Sequence, residues 1–262
     1  MKPPVLVLHV PGTNRDREVA RACALAGGDP EIVHLATLAA QPERLDAYRM
    51  LVLPGGFSYG DHLGAGKIWA LLLRTTLSTP FAAFVASGRP VLGICNGFQA
   101  LVKSGWLPGF GPPDATTPPR QVVTLSHNDS GRFECRWVDL IPEPASPCVF
   151  TRGLDAPISC PVAHAEGKLI TSPVLLRELE AERRVPLRYA PSPDDPAGYP
   201  GNPNGSAHHI AALTNASGTI LGLMPHPEDH IDPLQHPQRH RGPTRGLALP
   251  LFTAGVAYAA CA

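Results

Sequence analysis

The chain has 262 residues, and its 22 Lys and Arg are balanced by 22 Asp and Glu, so the formal net charge is zero. Such a chain has no electrostatic footprint for nucleic acid or for an anionic membrane surface. Its 44% hydrophobic content excludes wholesale disorder, while 25 Gly and 31 Pro forecast many turns.

Met1-Lys2 leads into an apolar run, Val5–Val10, that is interrupted by His9 and stops at Pro11-Gly12, too short for a secretory leader. The run reads as a strand buried on both faces. Asp16 to Ala26 has helical spacing and ends at Gly27-Gly28, a helix stop. Short strands follow at Glu31–Leu35 and Met50–Leu53, the second halted by Pro54-Gly55-Gly56. Ala65–Arg74 and Phe81–Ser87 read as helices, Pro90–Ile94 as a strand, and Asn96–Ser104 as a helix. Strands alternating with helices predict an α/β fold: an open, mostly parallel central sheet with helices on both faces.

The second half changes character. Gln121–Leu125, Phe133–Leu140, Ile158–Ala163, Val185–Tyr189, Ile210–Leu213 and Thr219–Leu223 read as short strands, either extending the sheet or forming an antiparallel flap. Val174–Arg184 reads as a helix. Pro108–Arg120 and Asp229–Arg245 lack apolar periodicity and are expected to be surface loops. The apolar Leu247–Ala262 contains Pro250 and falls short of the roughly 20 residues of a spanning helix, so it is expected to pack on the core. One domain over residues 1–262 is expected. The six cysteines contain no CxxC pair, which points to reduced thiols and a cytoplasmic location.

The chemistry concentrates at three places. Gly93-Ile94-Cys95-Asn96-Gly97 joins a strand to a helix in the G-x-nucleophile-x-G pattern, with sulfur as the nucleophile. The helix N-terminus behind Cys95 favours thiolate over thiol, although a buried core cysteine would satisfy the same composition. Pro225-His226-Pro227-Glu228 follows a strand; in an extended segment His226 and Glu228 project to one side, placing a carboxylate beside a candidate base. Alone, it would be a polar turn. Pro54-Gly55-Gly56-Phe57 ends another strand, where Gly55 and Gly56 let the backbone approach a bound carbonyl. The Phe57 and Asn96 N–H groups are the expected oxyanion pair. His226, His230, His236 and His240 give two His-x3-His pairs, but Pro227, Pro233 and Pro237 exclude one helix through them, so no metal site is expected. No GxxxxGK[ST] or GxGxxG motif marks a nucleotide site.

GICNGFQ at Gly93–Gln99 with PHPE at Pro225–Glu228 resembles the Cys-His-Glu triad of the class I glutamine amidotransferases, whose fold is flavodoxin-like. PGGFSYGDHLGAGKIWA (Pro54–Ala70), HNDSGRFECRWV (His127–Val138) and YPGNPNGS (Tyr199–Ser206) narrow the resemblance to the small glutaminase subunits of phosphoribosylformylglycinamidine synthase, in purine synthesis. The likeness runs from Val5 to about Ile231. It implies that Cys95 forms a γ-glutamyl thioester, His226 moves the protons and Glu228 orients His226. Glutamine contacts are implied for Gln99, Asn128, Ser130, Arg132 and Phe133, with Asn202–Gly205 shaping an exit side or partner surface. A synthetase subunit receiving ammonia is implied as partner, with a small third subunit; ATP and magnesium belong to the synthetase and no cofactor to this chain. A glutaminase for another acceptor, a stand-alone cysteine hydrolase and a non-catalytic module are the competing readings.

Overall fold

The computed structural model describes residues 1–110, 119–191, 198–241 and 246–262. Its central sheet has six strands in the order β10-β11-β4-β3-β1-β2. These are β1 (Pro4–His9), β2 (Asp29–His34), β3 (Met50–Leu53), β4 (Val91–Ile94), β10 (Ala212–Thr214) and β11 (Ile220–Leu223). All neighbours are parallel except β10 against β11. The run β2-β1-β3-β4-β11 is the flavodoxin-type order, as the resemblance implied. The four residues of β3, β4 and β11 are all buried, which is why these segments read as unbroken apolar runs.

Helices α1 (Asp16–Leu25), α2 (Leu35–Ala40), α3 (Lys67–Arg74), α4 (Ser78–Ala86) and α5 (Asn96–Lys103) connect these strands. Right-handed crossovers leaving β1 and β3 in opposite directions place α1 on one face and α3 to α5 on the other. The closing helix, α7 (Leu249–Ala259), packs on α1 and β3, as its apolar composition suggested. The sequence reading did not include α2. Its Leu35 and Leu38 are buried, and His34 Nδ1 accepts from Ala36 N–H at 3.0 Å to cap it.

The second-half strands realise both alternatives. The β10–β11 pair completes the central sheet. Beside it, β5 (Thr124–His127) pairs antiparallel with β8 (Glu166–Ile170), while β6 (Glu134–Pro142) is flanked by β7 (Ile158–His164) and β9 (Leu187–Tyr189). Strand β8 was missed because Glu166 and Lys168 interrupt its apolar positions, leaving only Gly167 and Leu169 buried. The expected helix after it is α6 (Pro173–Ala181), started by Ser172 Oγ accepting from Leu175 N–H at 3.2 Å. The surface-loop expectation for Asp229–Arg245 is corrected in part. His230 and Ile231 are buried, and Pro233–Gln235 is a 3-10 turn closed by a reciprocal cap between Asp232 and Gln235. The remainder of that connector at 242–245, and 111–118 of the other, lie outside the described residues. Among the described residues no single helix is long and apolar enough to cross a membrane.

Candidate active site

Three loops at the carboxyl ends of β3, β4 and β11 meet, the position where open α/β sheets bind ligands. Cys95 leaves β4 with φ 49° and ψ −103° and starts α5. A positive φ in a non-glycine residue costs on the order of 1–3 kcal/mol and persists only where the surroundings enforce it. Here Cys95 N–H donates to Leu223 O at 2.8 Å and its carbonyl accepts from Gln99 N–H at 3.0 Å, pinning both sides of the residue. The flanking glycines are required by packing. A Cβ on Gly93 would lie 3.0 Å from the Gly97 carbonyl, and one on Gly97 would run into the Leu53 backbone. The thiol is buried, 3.8 Å from Ala163 O, at the end of a helix whose first N–H groups point toward it.

Beyond β11, His226 N–H donates to Pro161 O at 2.8 Å, and Pro227–Asp229 forms a 3-10 turn. The extended-segment argument for this motif is thereby corrected: the turn, begun by the fixed φ of Pro227, brings the side chains together. His226 Nδ1 and Glu228 Oε1 are 2.7 Å apart, with side chains 4% and 0% exposed. Burial alone would lower the His226 pKa, but the Glu228 carboxylate and then the nearby Cys95 sulfur outweigh it and raise it well above the usual histidine range. Among the described residues its Nε2 has no partner at hydrogen-bond geometry, but the ring lies close enough to the Cys95 sulfur for that group to raise the pKa. Gly55 separates the two groups: a Cβ there would sit 2.6 Å from His226 Cε1 and 3.5 Å from Cys95 Cβ. His226, Glu228 and Asp229 also offer three potential metal-ligand atoms within 4.8 Å of one another. Of these residues, His226 Nδ1 and Glu228 Oε1 are already joined to each other by a hydrogen bond.

The loop after β3 corrects one expectation. Phe57 N–H donates to Gly12 O at 2.9 Å and is therefore not free for an oxyanion. The bond belongs to a bridge between Thr13 and Gly56 that ties this loop to the turn after β1. Gly56, at φ 151°, keeps an N–H without an acceptor among the described hydrogen bonds. Asn96 holds the loop in place: its Oδ1 accepts from Ser58 N–H at 3.0 Å, and its Nδ2 donates to Asp61 Oδ1 at 3.1 Å and Gln99 Oε1 at 2.9 Å. Burial raises the Asp61 pKa.

The cleft divides at Cys95. An inner recess of about 60 Å³ is lined by Gly56, Asp61, Cys95, Gln99, His164 and Glu166 among others. An outer cavity of about 180 Å³ is lined by Asn14, Arg15, Gly56, Phe57, Phe133 and His226, again with Cys95 and Ala163. Gln99 and Phe133 therefore reach the cleft, with Phe133 6.3 Å from the Phe57 ring. Asn128, Ser130 and Arg132 line neither cavity. Asn128 is instead a buried bracket, donating to Arg132 O at 2.9 Å and His164 O at 2.8 Å. Asn204 is likewise internal, donating to Gly167 O at 3.0 Å and steadying the β7–β8 turn. The sequence reading missed Asn14, Arg15, Asp61, His164 and Glu166. For the first two a signal existed, since Pro11–Asp16 follows a buried parallel strand, where ligand loops sit.

Comparisons with known proteins fit this geometry. The model of the CobB/CobQ-like glutamine amidotransferase domain matches residues 2–259. The phosphoribosylformylglycinamidine synthase subunit PurQ of Treponema denticola is 44% identical, covering 98% of this chain and 99% of that protein. The chain belongs to the PurQ family. A second PurQ, from Dehalococcoides mccartyi, is also 44% identical over 97% of this chain and 96% of its own. A chain of the solved PurLQS structure from Thermotoga maritima superposes with a TM-score of 0.74 at 32% identity, covering 98% of this chain and 99% of that one. The PurQ likeness thus spans both the sheet carrying the thiol and the flanking strands.

Proposed function

We propose that this chain is the glutaminase subunit of a phosphoribosylformylglycinamidine synthase. The observation that carries the reading is the meeting of Cys95, in its strained elbow, with the buried His226–Glu228 pair in one cleft. The PurQ relatives are named as subunits of phosphoribosylformylglycinamidine synthase, which supports formylglycinamide ribonucleotide as the acceptor, converted to its amidine by an ATP-dependent synthetase partner. The related Thermotoga chain comes from PurLQS, which favours that partner and a small third subunit. ATP and magnesium act on the synthetase, and this chain works as one cytoplasmic domain.

Cys95 gives its proton to His226 as sulfur attacks the glutamine side-chain carbonyl carbon. The Gly56 and Asn96 N–H groups receive the developing oxyanion. As the carbon–nitrogen bond breaks, the imidazolium returns the proton to the leaving nitrogen, releasing ammonia and leaving a γ-glutamyl thioester. His226 then takes a proton from water, which attacks the thioester; glutamate leaves and the thiol is restored. Glu228 holds the imidazole tautomer and stabilises its charge throughout.

The test is reconstitution with the candidate synthetase while following glutamine-dependent amidine formation. Cys95→Ala should abolish the reaction with glutamine but spare that with free ammonia. Loss of both would contradict the division of labour, and retention of both would remove Cys95 from the mechanism.

A further inference from the structure

The turn that carries the base also carries a second carboxylate. Pro227–Asp229 winds as a 3-10 turn, which brings residues three positions apart to one side, so Asp229 returns toward His226. The Asp229 N–H donates to His226 O at 3.3 Å. A carboxyl oxygen of Asp229 lies within 4.8 Å of both a His226 ring nitrogen and a Glu228 carboxylate oxygen. Glu228 spends one oxygen on the imidazole, and its buried Oε2 has no hydrogen-bond partner among the described residues. No protein donor therefore screens that oxygen from Asp229.

The charges around Asp229 come from three elements. The turn itself presents Glu228 and His226, the start of α1 presents Arg15 and Glu18, and β7 presents Cys160. Arg15 Nε stands 3.6 Å from the carboxylate, longer than a hydrogen bond, so it attracts the charge without binding it tightly. Burial, and then the Glu228 charge, push the Asp229 carboxyl up to about 6 against the pull of Arg15 and His226. Cys160 is fully buried and held well above the ordinary thiol range, so it adds no charge at neutral pH. Asp229 is therefore ionised at neutral pH, at a cost to folding stability. A charge kept at such a cost beside a catalytic pair points to a task there.

We propose that Asp229 is a positioning residue that acts on His226 through its charge: with Glu228 it strengthens the imidazole as a base and sets the pH range in which the Cys95–His226 pair works. The inference rests on the catalytic pair of the glutaminase reading, but its readout needs no glutamine. In the full chain assembled with its synthetase, the rate of Cys95 alkylation by iodoacetamide is followed across pH by peptide mass. Asp229→Asn removes a negative charge, so the coupled pair gives up its proton more readily. The midpoint of the profile should fall by about 0.5–1 pH unit. Asp229→Glu keeps the charge and should keep the parent midpoint. An unmoved midpoint in Asp229→Asn would overturn the proposal. Equal shifts in both variants, or loss of Cys95 reactivity at every pH, would overturn it too, since either marks a structural role. Glutamine hydrolysis is measured alongside. A parent complex that alkylates at Cys95 but hydrolyses no glutamine would overturn the glutaminase reading, while the alkylation profiles still decide the role of Asp229.

Discussion

Within the triad, the Glu228 carboxylate is the leading influence raising the His226 pKa against the effect of burial. Glu228→Gln keeps the shape but removes that charge. We expect kcat to fall by about 10²–10⁴-fold, with the His226-dependent limb of the pH profile moving to lower pH. An unmoved limb would show that Glu228 does not control the base. The neighbouring Asp229 carries a different signature. Burial, and then Glu228, raise its pKa from 3.8 to about 6 in the folded chain. A folded pKa above the unfolded one means that the protonated form is favoured by folding. Stability is therefore full below about pH 4 and declines as the pH rises through 6. Asp229→Asn removes this decline. Discounted for its partial exposure, the variant should gain about 1–2 kcal/mol over wild type at pH 8 and nothing at pH 4. Urea unfolding at the two pH values measures the difference.

At the level of elements, the site depends on short loops that admit no side chain where they touch. Gly55→Ala puts a methyl group 2.6 Å from His226 Cε1 and 3.5 Å from Cys95 Cβ, so the imidazole must move. Activity should drop at least about 100-fold, the scale of a misplaced catalytic group, while the far-ultraviolet circular dichroism stays unchanged. Wild-type turnover would mean that the loop yields instead. The same scale explains what was legible beforehand. Strands β3 and β4 were readable because burial on both faces leaves an unbroken apolar run, and Gly93 and Gly97 flagged the elbow because nothing larger fits there. Strand β8 and helix α2 were not: Glu166 and Lys168 interrupt the apolar positions of the first, and the second is a six-residue helix started by a His34 side-chain cap. Asn128 shows the limit of a motif: its residues were recognisable, but its side chain faces inward to His164 and Arg132 rather than toward the cleft.

On the scale of the whole molecule, the central sheet carries the thiol, the base and both supporting loops on one hydrogen-bonded frame. Leu92 is fully buried in β4, between β3 and β11. Leu92→Ala should cost about 2–5 kcal/mol by losing buried area and leaving a cavity. Thermal unfolding should then show a lower midpoint, with acivicin labelling of Cys95 lost in the same transition. Labelling that survives unfolding of the sheet would uncouple the site from its scaffold.

The sequence by itself determined the parallel α/β architecture, the Cys95 elbow, the His226–Glu228 pairing and the family resemblance. These follow from local rules: apolar runs make buried strands, glycine marks crowding, and proline marks turns. Tertiary structure alone decided that Gly12 occupies the Phe57 N–H, leaving Gly56 as the candidate donor, and that Arg15 rather than Arg132 lines the outer cavity. Those outcomes depend on which loops meet. The meeting is set by strand order and by the Thr13–Gly56 bridge, between residues 43 positions apart, and no local pattern encodes such a pairing.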